Sequence, residues 1–480
     1  MKKHSLIAVA TLSLVACAST GGLQTHAQLA DAGQLHAAKS LSSATLSDAA
    51  WPKQDWWTAY GDEQLNQLIN AALQDQPTLR IAEARVRQAQ AGAGVAQSAL
   101  YPQVDANVKS IRQRFSEHST VPPPLAGNWN SFNDGSLGVR YELDFWGKNQ
   151  AAVDAALDRV HAAEVDLQAA HLILTTTVAG TYLRLDAAYA QLDLAQDTLR
   201  QREKTLELTR QRVAAEIDSQ LELTQAESAL PAARERIDVI NESIALIKNQ
   251  IAALSGKGPD EGLNIQRPHL ADAGPMTIPS DLPAELIGRR PDVVGERWRV
   301  EAAGKNVHVA QAQFYPNVSI NAFLGFQSIG LSDFITAGSR VMGAGPAISL
   351  PIFEGGRLRS GLAVNQAEYD AAVEKYNVTL IVALHDVVEQ LVSMQWLDQQ
   401  MNEQNEALRL TRHAYDLAQQ RYASGVSSYL QVLSAEAQVL AQQRLVIESQ
   451  TRQRDLQLKL IRALGGGYAP TAEAAQNNRS

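Results

Sequence analysis

Few side chains in this 480-residue chain stand in patterns that perform chemistry. Cys17 is the only cysteine, so no internal disulfide and no cysteine-based metal cluster can form. The ten histidines are scattered and none falls in a His-Glu-x-x-His arrangement, the spacing that sets two imidazoles on one helix face around zinc. Phosphate-loop, dinucleotide and serine-nucleophile motifs do not occur. The chain is therefore not expected to be an enzyme, and no cofactor is expected. Forty-two Lys and Arg against 51 Asp and Glu leave a formal charge of -9, the wrong sign for gripping a nucleic-acid backbone through counterion release.

The position of Cys17 is its most informative property. Residues 1–16 have the form of an export signal: Lys2 and Lys3, the apolar run from Leu6 through Leu14, then small residues. Leu14-Val15-Ala16-Cys17 resembles the bacterial lipoprotein box. That likeness implies cleavage before Cys17, a diacylglyceryl group on its thiol and an N-acyl chain, such as palmitate, on the new amino group. Several acyl chains anchor stably where one does not. Ala18 follows where inner-membrane lipoproteins often carry Asp, which implies sorting to the outer membrane. Past the first twenty residues no run of about 18 apolar residues suggests a membrane-crossing helix.

The rest of the chain is organised as two copies of one plan. Tyr101-Pro102-Gln103-Val104 recurs 214 residues later as Tyr315-Pro316-Asn317-Val318. Arg212 through Leu221 aligns without gaps on Arg421 through Leu430, 209 residues later. Leu143-Asp144-Phe145-Trp146-Gly147-Lys148 stands beside Pro351-Ile352-Phe353-Glu354-Gly355-Gly356-Arg357. Each copy predicts a helix, two strands separated by a polar loop, a very long helix, a tight turn and a second long helix. The first set is expected at 77–99, 101–111, 133–146, 147–214 and 220–255, and the second at 291–314, 315–326, 341–353, 357–424 and 429–464. Short helices at about 61–73 and 281–288 precede the copies. The domain boundaries follow: 1–16 signal, 17–60 lipidated segment, 61–256 first repeat, 257–282 linker and belt, 283–465 second repeat, 466–480 tail.

Leu223, Leu230, Ile237, Ile244 and Ile251 recur every seven residues, with Ala226, Ala233, Ile240, Ile247 and Leu254 as companions. This is the a/d seam of supercoiled helices. The second copy is less regular, Val432, Val439 and Val446 being followed by Gln453. Helices of roughly 68 residues reach on the order of 100 Å and need lateral support. Leu137, Val139, Tyr141, Leu143 and Phe145 alternate with Ser136, Gly138, Arg140, Glu142 and Asp144, the two-residue period of a strand. Val318 to Phe326, Ala344 to Ile352 and Val104 to Val108 repeat the pattern. A soluble sheet under a helical layer fits this alternation, and so does a tilted membrane strand of about 9–13 residues. Export and acylation favour the membrane, which accepts strands only as closed barrels. Four strands cannot close, two chains would give eight, which usually leave no channel, and three would give twelve.

The motifs Leu14-Val15-Ala16-Cys17, Tyr141-Glu142-Leu143-Asp144-Phe145-Trp146-Gly147, Leu282-Pro283-Ala284-Glu285-Leu286-Ile287-Gly288-Arg289-Arg290-Pro291-Asp292-Val293 and Pro351 through Arg357 carry a wider likeness. Over essentially the whole mature chain the sequence resembles the trimeric outer-membrane efflux channel family, the outer-membrane factor lipoproteins of tripartite resistance-nodulation-division pumps. The fold this implies is a membrane β-barrel plus a long α-helical coiled-coil barrel, with four strands per protomer and twelve in the homotrimer. The implied function is passive conduction of drugs or other small toxic compounds across periplasm and outer membrane. The implied partners are two further copies, a periplasmic adaptor (membrane fusion) protein, an inner-membrane resistance-nodulation-division transporter and outer-membrane lipids, with no nucleic acid. A channel serving a protein-secretion or ATP-driven exporter, and a periplasmic coiled-coil lipoprotein with no channel, remain as alternatives.

The same resemblance assigns roles at the turns joining the long helices, which become the periplasmic mouth. Asp218 sits where the family often carries an acidic ring, with Glu216 and Glu222 close by. Ser427, Gln431 and Ser434 occupy the corresponding stretch of the second copy, where some relatives carry acids. Arg421 and Tyr422, with Arg212 as the first-copy counterpart of Arg421, are expected to latch neighbouring helix pairs. Gly425, Val426 and Ser428 are expected to receive the adaptor. Arg289-Arg290-Pro291-Asp292 reads as a helix start, and Trp51, Trp56 and Trp57 as packing against the belt.

Overall fold

The computed structural model describes residues 22–31, 35, 46–47, 51–271, 278–279 and 288–469. Cys17 and nearly all of the short helix expected at 281–288 lie outside these. The elements are α1 (Glu63–Asp75), α2 (Pro77–Ser98), β1 (Gln103–Arg114), β2 (Trp129–Leu143), α3 (Lys148–Ala214), α4 (Gln220–Leu254), α5 (Pro291–Ala312), β3 (Asn317–Ile329), β4 (Arg340–Ser349), α6 (Arg357–Ala423) and α7 (Tyr429–Ala463). A single helical turn, Pro259–Leu263, follows α4. The succession of helix, two strands and two long helices occurs twice, as the repeated sequence requires, and by contacts the chain forms two compact units.

One unit contains the strands with residues 84–164 and 295–377. Its sheet has the order β1-β2-β3-β4 and every neighbouring pair is antiparallel. The register aligns the apolar positions: Leu137 faces Ala106 on one side and Leu324 on the other, and Leu324 faces Met342. Because side chains alternate, this single register gathers the hydrophobic set of all four strands on one face. Among the described residues no helical layer covers that face: Leu137 and Leu324 are each 54% exposed and Ile348 is 72% exposed. The soluble-sheet alternative therefore fails. Among the described residues the outer edges of β1 and β4 pair with nothing.

The strands differ from expectation at both ends. Pairing of β1 with β2 continues to Arg114 opposite Trp129, so the loops expected at 112–132 and 327–340 shorten to 115–128 and 330–339. Backbone pairing here outruns the apolar alternation, since a ladder needs N–H and C=O groups rather than particular side chains. At the other end β2 stops at Leu143 and not at 146. Asp144-Phe145-Trp146-Gly147 is a strand-to-helix turn, with Gly147 at φ 67°. Asp144 Oδ2 accepts from the Gln150 N–H at 2.8 Å, while Trp146 stacks on Tyr315 and donates from Nε1 to the Pro316 carbonyl at 2.8 Å. In the second copy β4 likewise stops at Ser349, ahead of Gly355 and Gly356, both at positive φ.

The other unit holds residues 30–83, 165–294 and the chain from 378 onward. The α4 seam packs as its heptads require: Ala226, Ala233, Ile240, Ile244 and Ile251 are buried, and Ile237, Ile247 and Leu254 are partly buried against the same core. Trp56 and Trp57 are buried there with Tyr60, beside Leu65 and Ile69 of α1 and Leu174, Val178 and Tyr182 of α3. Asp62 ties this belt together, capping α1 through the N–H groups of Gln64 and Leu65 and accepting from Tyr182 Oη and the His269 N–H, both at 2.8 Å. Arg290 is buried and reaches Asp292 at 2.7 Å and Asp386 at 3.0 Å, consistent with a structural helix start.

One expectation needs correction. α6 does contain a stretch long and apolar enough to cross a membrane by length and composition, most of it exposed in the single chain. Val378, Ile381, Val382, Val392 and Trp396 are among its exposed apolar residues. The stretch escapes a search for unbroken apolar runs because His385, Asp386 and Glu389 interrupt it. A surface this apolar on a helix of 67 residues is suited to burial against further copies of the chain.

The sheet register yields a prediction. A Cβ on Gly325 would lie 2.3 Å from the Gly135 carbonyl oxygen and 2.8 Å from Ser136 Cα, whereas one on Gly345 would meet nothing within 4 Å. Overpacking of this kind costs about 1–3 kcal/mol. Gly325→Ala is expected to lower the thermal stability of the detergent-solubilised assembly and Gly345→Ala to leave it unchanged. Equal melting of the two variants would contradict the register.

Candidate gate at the helix tips

Both long-helix pairs turn in the same way. α3 ends with the Ile217 N–H donating to the Arg212 carbonyl at 2.9 Å, and α6 with the Val426 N–H donating to the Arg421 carbonyl at 2.9 Å. The residue that must adopt a left-handed backbone is Glu216, φ 57°, in the first copy and Gly425, φ 79°, in the second. Glycine takes this conformation without the steric penalty glutamate bears. The next helices are capped differently. Ser219 and Glu222 form a reciprocal capping box at the start of α4, whereas Ser428 makes no side-chain cap bond at the start of α7. Gln431, at the place of Glu222, is exposed.

The first turn supplies the charged half of a buried cluster. Arg212 Nε donates to Asp218 Oδ2 at 2.8 Å and its NH2 group donates to Oδ1 at 3.0 Å, a bidentate pair. These side chains are only 7% and 8% exposed. α6 supplies the rest. Tyr422 Oη donates to Asp218 Oδ2 at 2.5 Å and lies 3.0 Å from Thr209 Oγ1. Arg212 NH1 donates to the Tyr422 carbonyl at 2.6 Å, and the guanidinium lies 4.3 Å from the Tyr422 ring centre. Arg212 thus joins the tip of α3 to that of α6 by a hydrogen bond and a cation–π contact, while its ion pair holds the Asp218 carboxylate in place for Tyr422.

The electrostatics are consistent. The hydrogen bond from Arg212 holds the Asp218 carboxyl below the usual carboxylate range against the opposing effect of burial. Burial, with the bond to Asp218, pushes the Tyr422 hydroxyl up to about 12. At neutral pH the cluster is a carboxylate, a guanidinium and a neutral phenol, the states that allow every bond described.

The expected latch residues do not all meet. Arg212, Asp218 and Tyr422 come together, but Arg421 is exposed and outside the cluster. Successive helical residues point about 100° apart, so Tyr422 facing α3 turns Arg421 away. Asp218, expected in an acidic ring, has its carboxylate committed to Arg212 and Tyr422. Ser427 Oγ is buried without a hydrogen-bond partner among the described residues, and Ser434 Oγ donates back to the Leu430 carbonyl at 2.9 Å. Gly425 and Ser428 are exposed, and Val426 is 67% exposed. Thr209 was not anticipated, although its position three residues before Arg212 puts it on the same helix face.

Comparison with known proteins accounts for the sheet and the duplicated long helices. The family model described as "Outer membrane efflux protein" matches residues 68–257 and 282–466. The chain is 43% identical over 368 residues to the fusaric acid resistance protein FusA of Burkholderia cepacia, covering 75% of this chain and 69% of that protein. It is 31% identical over 472 residues to the pyoverdine export outer membrane protein OpmQ of Pseudomonas putida, covering 98% of each. The crystal structure of the outer membrane protein VceC from Vibrio cholerae superposes with a TM-score of 0.81 at 38% identity, covering 87% of this chain and 100% of that one. The open-edged sheet, the duplicated long helices and these matches agree: the chain belongs to the outer membrane efflux protein family and serves as an outer-membrane exit duct with a long periplasmic helical extension.

Proposed function

We propose that three copies of this chain form the exit duct of a tripartite pump for small toxic compounds, with the Arg212–Asp218–Tyr422 cluster holding its periplasmic end closed at rest. The observation that carries the gate is a buried bidentate ion pair at the tip of the first helix pair to which Tyr422 of the second is hydrogen-bonded. A periplasmic adaptor and an inner-membrane resistance-nodulation-division transporter deliver the cargo. The relatives' names, fusaric acid resistance and pyoverdine export, support small organic molecules as cargo. Gly425, Val426 and Ser428 offer an exposed, small-residue surface for adaptor docking. Opening consists of the second helix pair leaving the first, which breaks the cluster.

The anchor reading of Cys17 rests on sequence and gains support from reach. The N–H groups of His26 and Ala27 donate to Asp370 Oδ1 at 3.0 Å, and Asn377 Nδ2 donates to the Gln28 carbonyl at 3.0 Å. Asp370 lies thirteen residues into α6 from Arg357, about 20 Å along the axis. The nine residues from Cys17 to His26 span up to about 30 Å when extended. A lipid on Cys17 can therefore reach back to the strand end of α6.

Reconstitution of the purified protein in planar bilayers, with and without candidate adaptors, tests the duct. A trimer whose conductance rises with the right adaptor is expected, and a monomer without conductance under any condition would refute the reading. Asp218→Asn strands a buried guanidinium, at a cost of about 3–5 kcal/mol, and Tyr422→Phe removes a bond to a charged group worth about 1.5–3 kcal/mol. Both should raise resting conductance and antibiotic leakage, the first more than the second, while Arg421→Ala leaves them unchanged. Because the Asp218 pKa is depressed, the latch holds above the ordinary carboxylate range and is lost as pH falls through the lowered value. Wild-type conductance should stay flat from neutrality to about pH 5 and rise only in stronger acid, with Asp218→Asn lacking that rise. Cys17→Ser should abolish labelling by radioactive palmitate; labelling that persists would remove the anchor.

A further inference from the structure

A second polar layer lies inside the coiled coil, ten residues back along α3 from Arg212 and hence about 15 Å from the tip cluster. Arg202 Nε donates to Glu436 Oε1 of α7 at 3.1 Å, and Arg202 NH1 donates to the Ala229 carbonyl of α4, also at 3.1 Å. Beside it, Gln201 Nε2 of α3 donates to Tyr415 Oη of α6 at 2.5 Å, and Gln419 Nε2 donates to the same oxygen at 2.6 Å. The Glu436 side chain is 8% exposed and Tyr415 is buried among Leu206, Leu408, Val432 and Val439. Two adjacent α3 residues thus bind three other helices at one level.

The duplication shows that this layer is not a general property of the plan. Glu436 corresponds to Glu227 of the first copy, 209 residues earlier. Glu227 is half exposed and makes only a loose pair with Arg210 at 3.4 Å, a surface contact of small worth. Only the second-copy glutamate is turned into the core and met by an arginine of the opposite pair. A buried charge with one partner fixes register, because any sliding or splaying leaves the charge unpaired in an apolar surrounding.

We propose that Arg202, Glu436, Gln201 and Tyr415 form a second tier of the gate, so that release of the tip cluster alone opens the helices only up to this level and full opening requires both tiers to part. The inference rests on the reading of the tips as the gate. It makes Glu436 and Tyr415 positioning residues for conduction: they limit how far the second helix pair can leave the first. With Asp218 uncoupled, the helices beyond the second tier are free to splay, while those behind it remain fastened by Arg202 and Gln201.

The test uses the full trimer carrying Asp218→Asn, Glu436→Gln or both, in planar bilayers, with spin-label distances at two levels. One label pair, on exposed Gln211 and Ser424, reports the tip; the other, on exposed Glu203 and Gln438, reports the second tier. Asp218→Asn alone is expected to give a partial conductance, to lengthen the tip distance and to leave the other unchanged. Glu436→Gln alone should stay at the wild-type conductance, because the tip remains latched. The double variant should lengthen both distances and conduct several-fold more than Asp218→Asn. A double variant no different from Asp218→Asn, or Asp218→Asn lengthening both distances by itself, would overturn the second tier. A lengthened tip distance with unchanged conductance would instead refute the gate at the tips. Should Glu436→Gln fail to assemble, Tyr415→Phe, which loses only the phenol oxygen, carries the same comparison.

Discussion

The structure depends on one constraint: a strand edge cannot be left unpaired in a lipid bilayer. Each unsatisfied N–H or C=O there costs several kcal/mol. The chain makes four antiparallel strands with one register and one apolar face, and stops with the outer edges of β1 and β4 open. Nothing in the described chain covers those edges, so they must meet the edges of other copies. Three copies supply the twelve strands of a barrel wide enough to conduct. Trimerisation is thus a requirement of backbone hydrogen bonding before it is a matter of side-chain packing.

The helices inherit their arrangement from that requirement. β2 passes through the Asp144–Gly147 turn into α3 and β4 passes through the turn at Gly355 and Gly356 into α6. Two helices of 67 residues, with partners of 35, cannot bury their apolar positions within one chain. The exposed Val378, Ile381, Val382 and Trp396 of α6 show the shortfall. Closing the barrel brings the corresponding helices of three copies side by side, and the same event satisfies the strand edges and the helix faces. The belt anchored by Asp62 adds a collar whose bonds lie within one chain, so it needs no neighbour to form.

Much of this was legible in the sequence because it rests on periodicity. The two-residue alternation from Leu137 to Leu143 and the seven-residue recurrence from Leu223 to Ile251 each identify a face, and in the structure those faces lie on one sheet surface and in one helix seam. What the periods do not encode was misplaced. The strands extend beyond their apolar residues because pairing is a property of the backbone, and β2 ends early where Asp144 accepts from Gln150 in the first turn of α3 and Trp146 finds a partner 170 residues along the chain. At the tips, resemblance pointed to Arg421 and Tyr422 with Arg212, but adjacency in sequence is divergence on a helix, and of the two arginines it is Arg212, 210 residues before Tyr422, that meets it. The Arg202–Glu436 layer left no signal, since pairing across four helices is visible only once they are assembled.

The two copies share a framework and differ at the tips of their long helices. At corresponding places stand Arg212 and Arg421, Val213 and Tyr422, Asp218 and Ser427, Glu222 and Gln431. The cluster takes its arginine and carboxylate from the first copy and its phenol from the second, so neither copy can form it alone. Had both turns carried an Arg–Asp pair, each would satisfy its own charges and no carboxylate at one tip would be shared with the other. With Ser427 where the first copy has Asp218, the second tip has no carboxylate at that place and offers the Tyr422 phenol to Asp218 instead. The capping box on α4 and its absence on α7 follow the same division: Ser219 and Glu222 stiffen the first tip, while the second begins at an uncapped Ser428 after a glycine. The first tip is thus capped and ion-paired and the second is not, so the two copies meet at one cluster without being interchangeable.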